Sequence, residues 1–139
     1  MDFSRLSETS IDALWELQKA FKAEIGEGAP DEEDKERLKE AIAEGRIVFF
    51  GAEENGELIG CCSVTVGFST FDYAPSGVFD DFYIVPAYRH KGVARRLAET
   101  AFNESGVSTL TVGCADCDRA MYVSLGFGVR IGSLLAFGS

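Results

Sequence analysis

The sequence predicts an α/β (α+β) domain, a mixed sheet whose first strands are antiparallel and whose later strands are joined by helix crossovers. Three observations carry that expectation. Segments of strand and helix character alternate in the order β-α-α-β-β-β-α-β-α-β. Asn55-Gly56, a tight-turn pair, separates two β-rich runs in the middle of the chain. Beyond residue 86, helical patterns fall between short strand-like runs, which is how parallel crossovers read. With 139 residues, 46% hydrophobic and 26% charged, the chain suits one domain, residues 1–139, with one core.

Phe3–Leu6 reads as a first strand, and Ser7–Ser10 supplies capping residues. Ile11, Leu14, Trp15, Leu17 and Phe21 recur at helical spacing. Gly26 to Pro30 breaks that helix. Asp31-Glu32-Glu33-Asp34 then opens a second helix, reaching about Glu44, with negative charge where the macrodipole favours it. Arg46–Glu53 and Glu57–Phe68 form the hairpin around Asn55-Gly56. A loop holding Pro75 and Gly77 leads to a strand at Val78–Val85, ended by Pro86. Arg89–Ala94 opens a helix whose Leu97, Ala98, Ala101 and Phe102 share one face, and Gly106 stops it. Ser108–Val112 is a short strand, Asp118–Leu125 a short helix, and Gly126-Phe127 begins a last strand toward Phe137.

Charge and composition narrow the function. Thirteen Lys and Arg stand against 23 Asp and Glu, a net charge of −10, so nucleic acid is not the expected partner. The longest apolar runs, near Ile47–Phe50 and Leu134–Phe137, fall far short of the roughly 20 residues of a membrane-crossing helix. Met1–Arg5 lacks the pattern of a signal peptide, so a cytoplasmic location with reduced thiols is expected. Cys114 and Cys117 have CxxC spacing, yet a structural zinc needs four ligands, and the only histidine, His90, belongs to another motif. No metal is expected. Cys61 and Cys62, adjacent in a strand, should point to opposite faces.

The chemistry concentrates after the third long strand. Arg89-x-x-Gly92-x-Ala94 lies between a strand and a helix, where unpaired backbone N–H groups and the helix dipole favour an anion. Gly92 and Ala94 keep the approach open. Arg89, His90, Lys91, Arg95 and Arg96 form a basic island in an acidic protein, as a polyphosphate ligand would select.

The run from Asp81 to Leu97 resembles the acetyl-CoA segment of the GCN5-related N-acetyltransferases (GNAT). Arg119 to Phe127, an aromatic-bearing helix closed by Leu125-Gly126-Phe127, resembles that family's second signature. Phe68-Ser69-Thr70-Phe71 followed by Phe79–Ile84 is also similar to diamine and polyamine acetyltransferases, with Asp80 at the usual Glu position and Ala115 where an Asn is common.

The resemblance implies a GNAT-like mixed, mostly antiparallel sheet flanked by helices on both faces, and an acetyl-CoA-dependent N-acetyltransferase acting on a small-molecule amine such as a polyamine or amino acid. Direct attack would occur with both substrates bound. Phe82, Tyr83 and Ile84 would line the pantetheine arm, and Arg89, His90, Lys91, Gly92, Val93, Ala94 and Arg95 would cradle the pyrophosphate. Tyr122 would be the acid for the departing thiolate. Asp80 or Asp81 would be the base, and alternation along the strand cannot choose between them, although the resemblance points to Asp80. Phe68, Phe71 and Tyr73 would line the acceptor cleft, with the first two helices as its other wall. Homodimers are common in the family. A non-catalytic acyl-CoA sensor and a protein N-acetyltransferase are the competing functions.

Overall fold

A computed structural model describes residues 1–138. The elements in chain order are β1 (Asp2–Leu6), α1 (Ile11–Glu24), α2 (Glu32–Ala43), β2 (Ile47–Glu54), β3 (Glu57–Ser69), β4 (Ala74–Ile84), α3 (Val93–Glu104), β5 (Thr109–Val112) and α4 (Arg119–Leu125), with short 3-10 turns before α1, α3 and α4. The five strands form one sheet in sequence order. The first four are antiparallel, and β5 lies parallel to β4.

Local chemistry explains most boundaries. Asp31 accepts from the Asp34 N–H and Asp34 from the Asp31 N–H, a reciprocal box that starts α2. Asn55 and Gly56 both have positive φ, 52° and 79°, as the tightest hairpin turn between right-twisted strands requires. β4 begins four residues earlier than the sequence suggested and includes Pro75 and Gly77. Proline is tolerated near a strand's start, and the Pro75 carbonyl is used by the Ser108 N–H at 2.8 Å. Gly77 leaves room for a close neighbour, since a Cβ there would lie 2.6 Å from Val64 Cγ1.

Both faces of the sheet are covered. Leu14 and Leu17 of α1 and Ile42 of α2 bury Phe49, Cys61 and Tyr83 on one face. Leu97, Ala98 and Ala101 of α3 bury Phe50, Cys62, Val64 and Phe79 on the other. The two adjacent cysteines therefore serve opposite cores, as their alternation predicts. Burial pushes the Cys61 thiol up to about 12, with Asp81 nearby adding to it, and pushes Cys62 well up.

The expected last strand is absent from residues 127–138, which carry no strand. Val129, Ile131, Leu134, Leu135 and Phe137 supply the apolar residues of a strand but stay exposed. Glycines at 128, 132 and 138 weaken any strand here, and the neighbouring β5 offers only four residues to pair with.

Candidate active site

The parallel pairing of β4 with β5 runs only from Ser76↔Thr109 to Phe79↔Val112. Beyond Phe79, β4 continues to Ile84 with that edge open. On its other edge β4 remains paired with β3, but the register slips: Ser63 faces Asp80, whereas Cys61 faces Tyr83. β4 therefore carries one extra residue between them, a β-bulge. Asp81, inside it, has φ of 50°, a conformation that Asp tolerates better than most side chains.

This bulge corrects the expectation of strict alternation through Asp80-Asp81. The Ser63 hydroxyl, fully buried, donates to Asp81 Oδ2 at 2.7 Å. The Asp81 N–H donates to Asp80 Oδ1 at 2.8 Å, and Asp80 itself is exposed. One carboxylate is thus tied to the sheet and the other is presented outward. Sequence reading missed Ser63, although a lone hydroxyl within the apolar run from Leu58 to Val64 was a usable signal.

Tyr122, on α4, packs its half-buried ring against Phe82 (centroids 6.4 Å apart) and Phe127 (6.0 Å). Burial raises its phenol above the ordinary value of 10, and the negative charges of Asp118 and Asp80 and the Cys114 thiol add to the shift. Asp80, Phe82 and Tyr122 are therefore gathered at the mouth of the splay.

At its foot, Pro86–Tyr88 forms a 3-10 turn and α3 starts at Val93, four residues later than Arg89. The reason lies in the backbone, because His90 (φ 61°) and Gly92 (φ 81°) are left-handed and cannot belong to the helix. A Cβ on Gly92 would meet nothing within 4 Å, so the loop faces open space just before the unpaired N–H groups of α3. Those features fit a pyrophosphate.

The basic island divides. The Arg89 Nε donates to the Ile84 carbonyl at 2.8 Å and its Nη2 meets Glu24 at 2.7 Å, while its guanidinium lies over Tyr83. Arg95 pairs with Glu99 and donates to the Ser124 carbonyl of α4 at 3.0 Å. Arg96 lies 4.3 Å over the Phe3 ring, and Lys91 lies over Tyr88. Among the described residues His90, Lys91 and Arg96 form no ion pair, so Lys91 and Arg96 are the cations of the island left to meet an anion. Val93 is buried and Ala94 half-buried.

The aromatic trio is not brought to this site. Phe68, Phe71 and Tyr73 occupy the β3–β4 hairpin tip, highly exposed, with Phe68 edge-on to Tyr73 at 6.5 Å. Six residue steps of strand lead from Ala74 to Asp80, about 20 Å at the usual rise. The trio therefore lies along β4 from Asp80 rather than beside it. A cavity of 630 Å³ between α1, α2 and their connection is lined by Trp15, Gln18, Glu27 and Asp34 among others, and by none of the expected site residues. Cys114 and Cys117 are exposed free thiols, and among the described residues no group of three or more His, Cys, Asp or Glu is placed to hold a metal.

β4 and β5 stop pairing after Phe79, with the bulge beside that opening and the left-handed loop before α3 at its foot. The model of the acetyltransferase (GNAT) family matches residues 11–127, and the chain belongs to that family. A search of curated proteins finds no match to the sequence. Solved structures share the fold. A probable acetyltransferase is 19% identical with a TM-score of 0.83, all of both chains being covered. An aminoglycoside acetyltransferase from an uncultured soil metagenomic sample, in complex with sisomicin, is 16% identical with a TM-score of 0.81 over 99% of this chain and 95% of that one. A predicted acetyltransferase from Clostridium acetobutylicum, solved with acetyl-CoA, is 18% identical with a TM-score of 0.75 over 99% and 95%. No helix among the described residues is long and apolar enough to cross a membrane.

Proposed function

We propose that this chain transfers the acetyl group of acetyl-CoA to the primary amine of a small molecule, such as a polyamine or amino acid, by direct attack with both substrates bound. The observation that carries this reading is the loss of the β5 partner along β4 after Phe79, with Gly92 just beyond the open stretch and Asp80 and Tyr122 beside it. Acetyl-CoA supplies an activated thioester. Everything else falls to the residues of the chain.

The loop from Arg89 to Ala94 binds the pyrophosphate through backbone N–H groups, with Lys91 as a free cation and His90 as a ring N–H contact, and Arg95 anchors the first turn of α3. Phe82, Tyr83 and Ile84 form the stretch of β4 that meets the pantetheine arm, Phe82 and Ile84 turning their backbone groups to the open edge while Tyr83 between them pairs with β3. With the Asp81 N–H already given to Asp80, the Phe82 N–H is the candidate dipole for the thioester carbonyl. The acceptor presents a different problem. An alkyl amine with a pKa near 10.4 is neutral in only roughly one molecule in 2,500 at pH 7, so Asp80 is assigned as the base. Each carboxylate has one oxygen engaged, but Asp80 is exposed whereas Asp81 is half-buried and tied to Ser63. Tyr122 is protonated at neutral pH as any phenol is, and burial with Asp118 and Asp80 nearby raises its pKa further. Full proton transfer from a phenol at 10 to a thiolate at 8.5 is uphill by about 2 kcal/mol. Tyr122 therefore works by donating a hydrogen bond to the leaving sulfur as charge develops, with transfer completing late.

The reading includes a cytoplasmic location, where acetyl-CoA is made and used, and a homodimer, for which the exposed apolar row from Val129 to Phe137 supplies surface. The test joins binding to turnover. Acetyl-CoA and CoA should each stabilise the protein by roughly 2.7 kcal/mol at a hundred times Kd, and a panel of polyamines, amino acids and aminoglycosides should reveal an acceptor that releases CoA thiol. Stabilisation without thiol release from any amine would make the protein a sensor. No stabilisation by CoA would overturn the reading.

A further inference from the structure

Glu24 stands in the last turn of α1, where the negative end of the helix dipole opposes a carboxylate. The one basic side chain of that turn, Lys22, is engaged with Glu27 at 3.3 Å. Glu24 instead reaches 65 residues along the chain to Arg89, 2.7 Å away. Arg89 is held at two more points. Its Nε donates to the Ile84 carbonyl at 2.8 Å, and its guanidinium lies 5.4 Å over Tyr83, whose ring packs on Phe21 of the same helix.

The Ile84 carbonyl belongs to the open edge of β4. Val85 N–H donates to the Ile59 carbonyl, so residues 85 and 83 turn their backbone groups toward β3. Residue 84, between them, turns its own away, toward the side β5 has left. Arg89 thus fastens the end of that edge to the start of the Pro86–Gly92 loop, and Glu24 is the one charged side chain of α1 that fixes Arg89.

We propose that Glu24 is a positioning residue for cofactor capture: through Arg89 it sets the spacing between the open edge of β4 and the anion loop. The inference rests on the acetyl-CoA reading above, because one ligand must touch both surfaces at once. A misplaced loop then costs affinity for that ligand while the chemical step at Asp80 and Tyr122 is spared. The side chains of the pair are roughly a third and a half exposed, 35% and 48%, so the pair contributes little to global stability.

The experiment is a double-mutant cycle of Glu24→Gln and Arg89→Gln, read by calorimetric Kd for acetyl-CoA, by KM and kcat at saturating amine, and by Tm. Glu24→Gln should raise Kd and KM for acetyl-CoA about two- to fivefold, with kcat and Tm nearly unchanged. In the Arg89→Gln background the Glu24 change should add nothing. The proposal is overturned if Glu24→Gln leaves Kd unchanged, if its effect appears in kcat or Tm instead, or if the two effects add. A wild-type protein that binds acetyl-CoA beside an equally tight Glu24→Gln variant removes this inference alone. A wild-type protein that does not bind acetyl-CoA removes the functional reading and this inference with it.

Discussion

From Ala74 to Phe79, β4 is a sheet-building strand: β3 pairs with it throughout, and β5 pairs with it at 76–79. From Asp80 to Ile84 the same strand keeps β3 but loses β5, takes in an extra residue and passes through a positive φ at Asp81. Side chains follow the backbone. Gly77 in the first half is crowded by Val64, Leu110 and Val107, and Phe79 is fully buried. In the second half Asp80 is exposed and Phe82 half-buried against Tyr122. Unmade backbone hydrogen bonds are costly when buried, so an edge left open in the middle of a domain is informative. Here the open edge, the outward carboxylate and the left-handed loop before α3 occur within thirteen residues of one another, Asp80 to Gly92.

The largest expected effect lies just past that second half. Gly92→Asp should remove measurable affinity for acetyl-CoA, at least about a hundredfold. Its side chain would project into the open space where the loop faces the phosphate and would add a negative charge. Asp tolerates a left-handed backbone better than most residues, so the variant should fold, with Tm close to wild type. Unchanged affinity in a calorimetric titration would show that the loop at the foot of the splay is not the anion site, and would leave the open half of β4 without a ligand.

The next effect tests the ring that rests on Phe82. Tyr122→Phe keeps the packing and removes the donor, so acetyl-CoA should still bind while kcat falls. A positioned acid is worth roughly 10²–10⁴-fold, and the uphill transfer argued above places this one near the lower figure. The pH dependence has a definite sign. Tyr122 must be protonated to donate, and its pKa is raised by burial and by Asp118. Any alkaline loss of rate owed to it should therefore set in only above pH 10, and should vanish in the Phe variant. A kcat within twofold of wild type would reduce Tyr122 to a packing residue.

The paired regions of the sheet were legible from sequence and the open region was not, for one physical reason. Periodicity reports burial, and wherever a strand is paired along its length or a helix packs on the sheet it identifies the element: β1 to β3, α1 to α3 and the Asn55-Gly56 turn all stand within a few residues of expectation. The motif around Gly92 was legible because positive-φ glycine and a helix start have local signatures. The bulge at Asp81 was not, since it arises from a register slip against β3 that no residue between Asp80 and Tyr83 announces. Pairing over long separations was equally hidden, including Glu24 with Arg89 and Ser63 with Asp81. The same limit explains the last strand. Residues 127–138 carry strand-like apolar residues, but a strand requires a partner, and a pattern cannot tell whether one is there.

The smallest effects, and the sharpest separation of the two halves, come from the junction itself. Asp80→Asn should lower kcat/KM most near pH 6–7, where nearly all of the amine is protonated, and the deficit should shrink as pH approaches the amine's own pKa near 10.4. Asp81→Asn should show no such trend, because an amide oxygen can still accept the Ser63 hydroxyl and hold the bulge. Asp81→Ala removes that acceptor and leaves a fully buried hydroxyl without a partner, costing about 1–3 kcal/mol of stability in denaturant titrations. The two residues would then part cleanly, one read by pH and the other by stability. Should Asp81→Asn carry the pH signature while Asp80→Asn does not, the carboxylate tied to Ser63 is the base and the outward one is not. Should neither carry it, water removes the proton, and the open half of β4 accelerates the reaction mainly by holding the two substrates together.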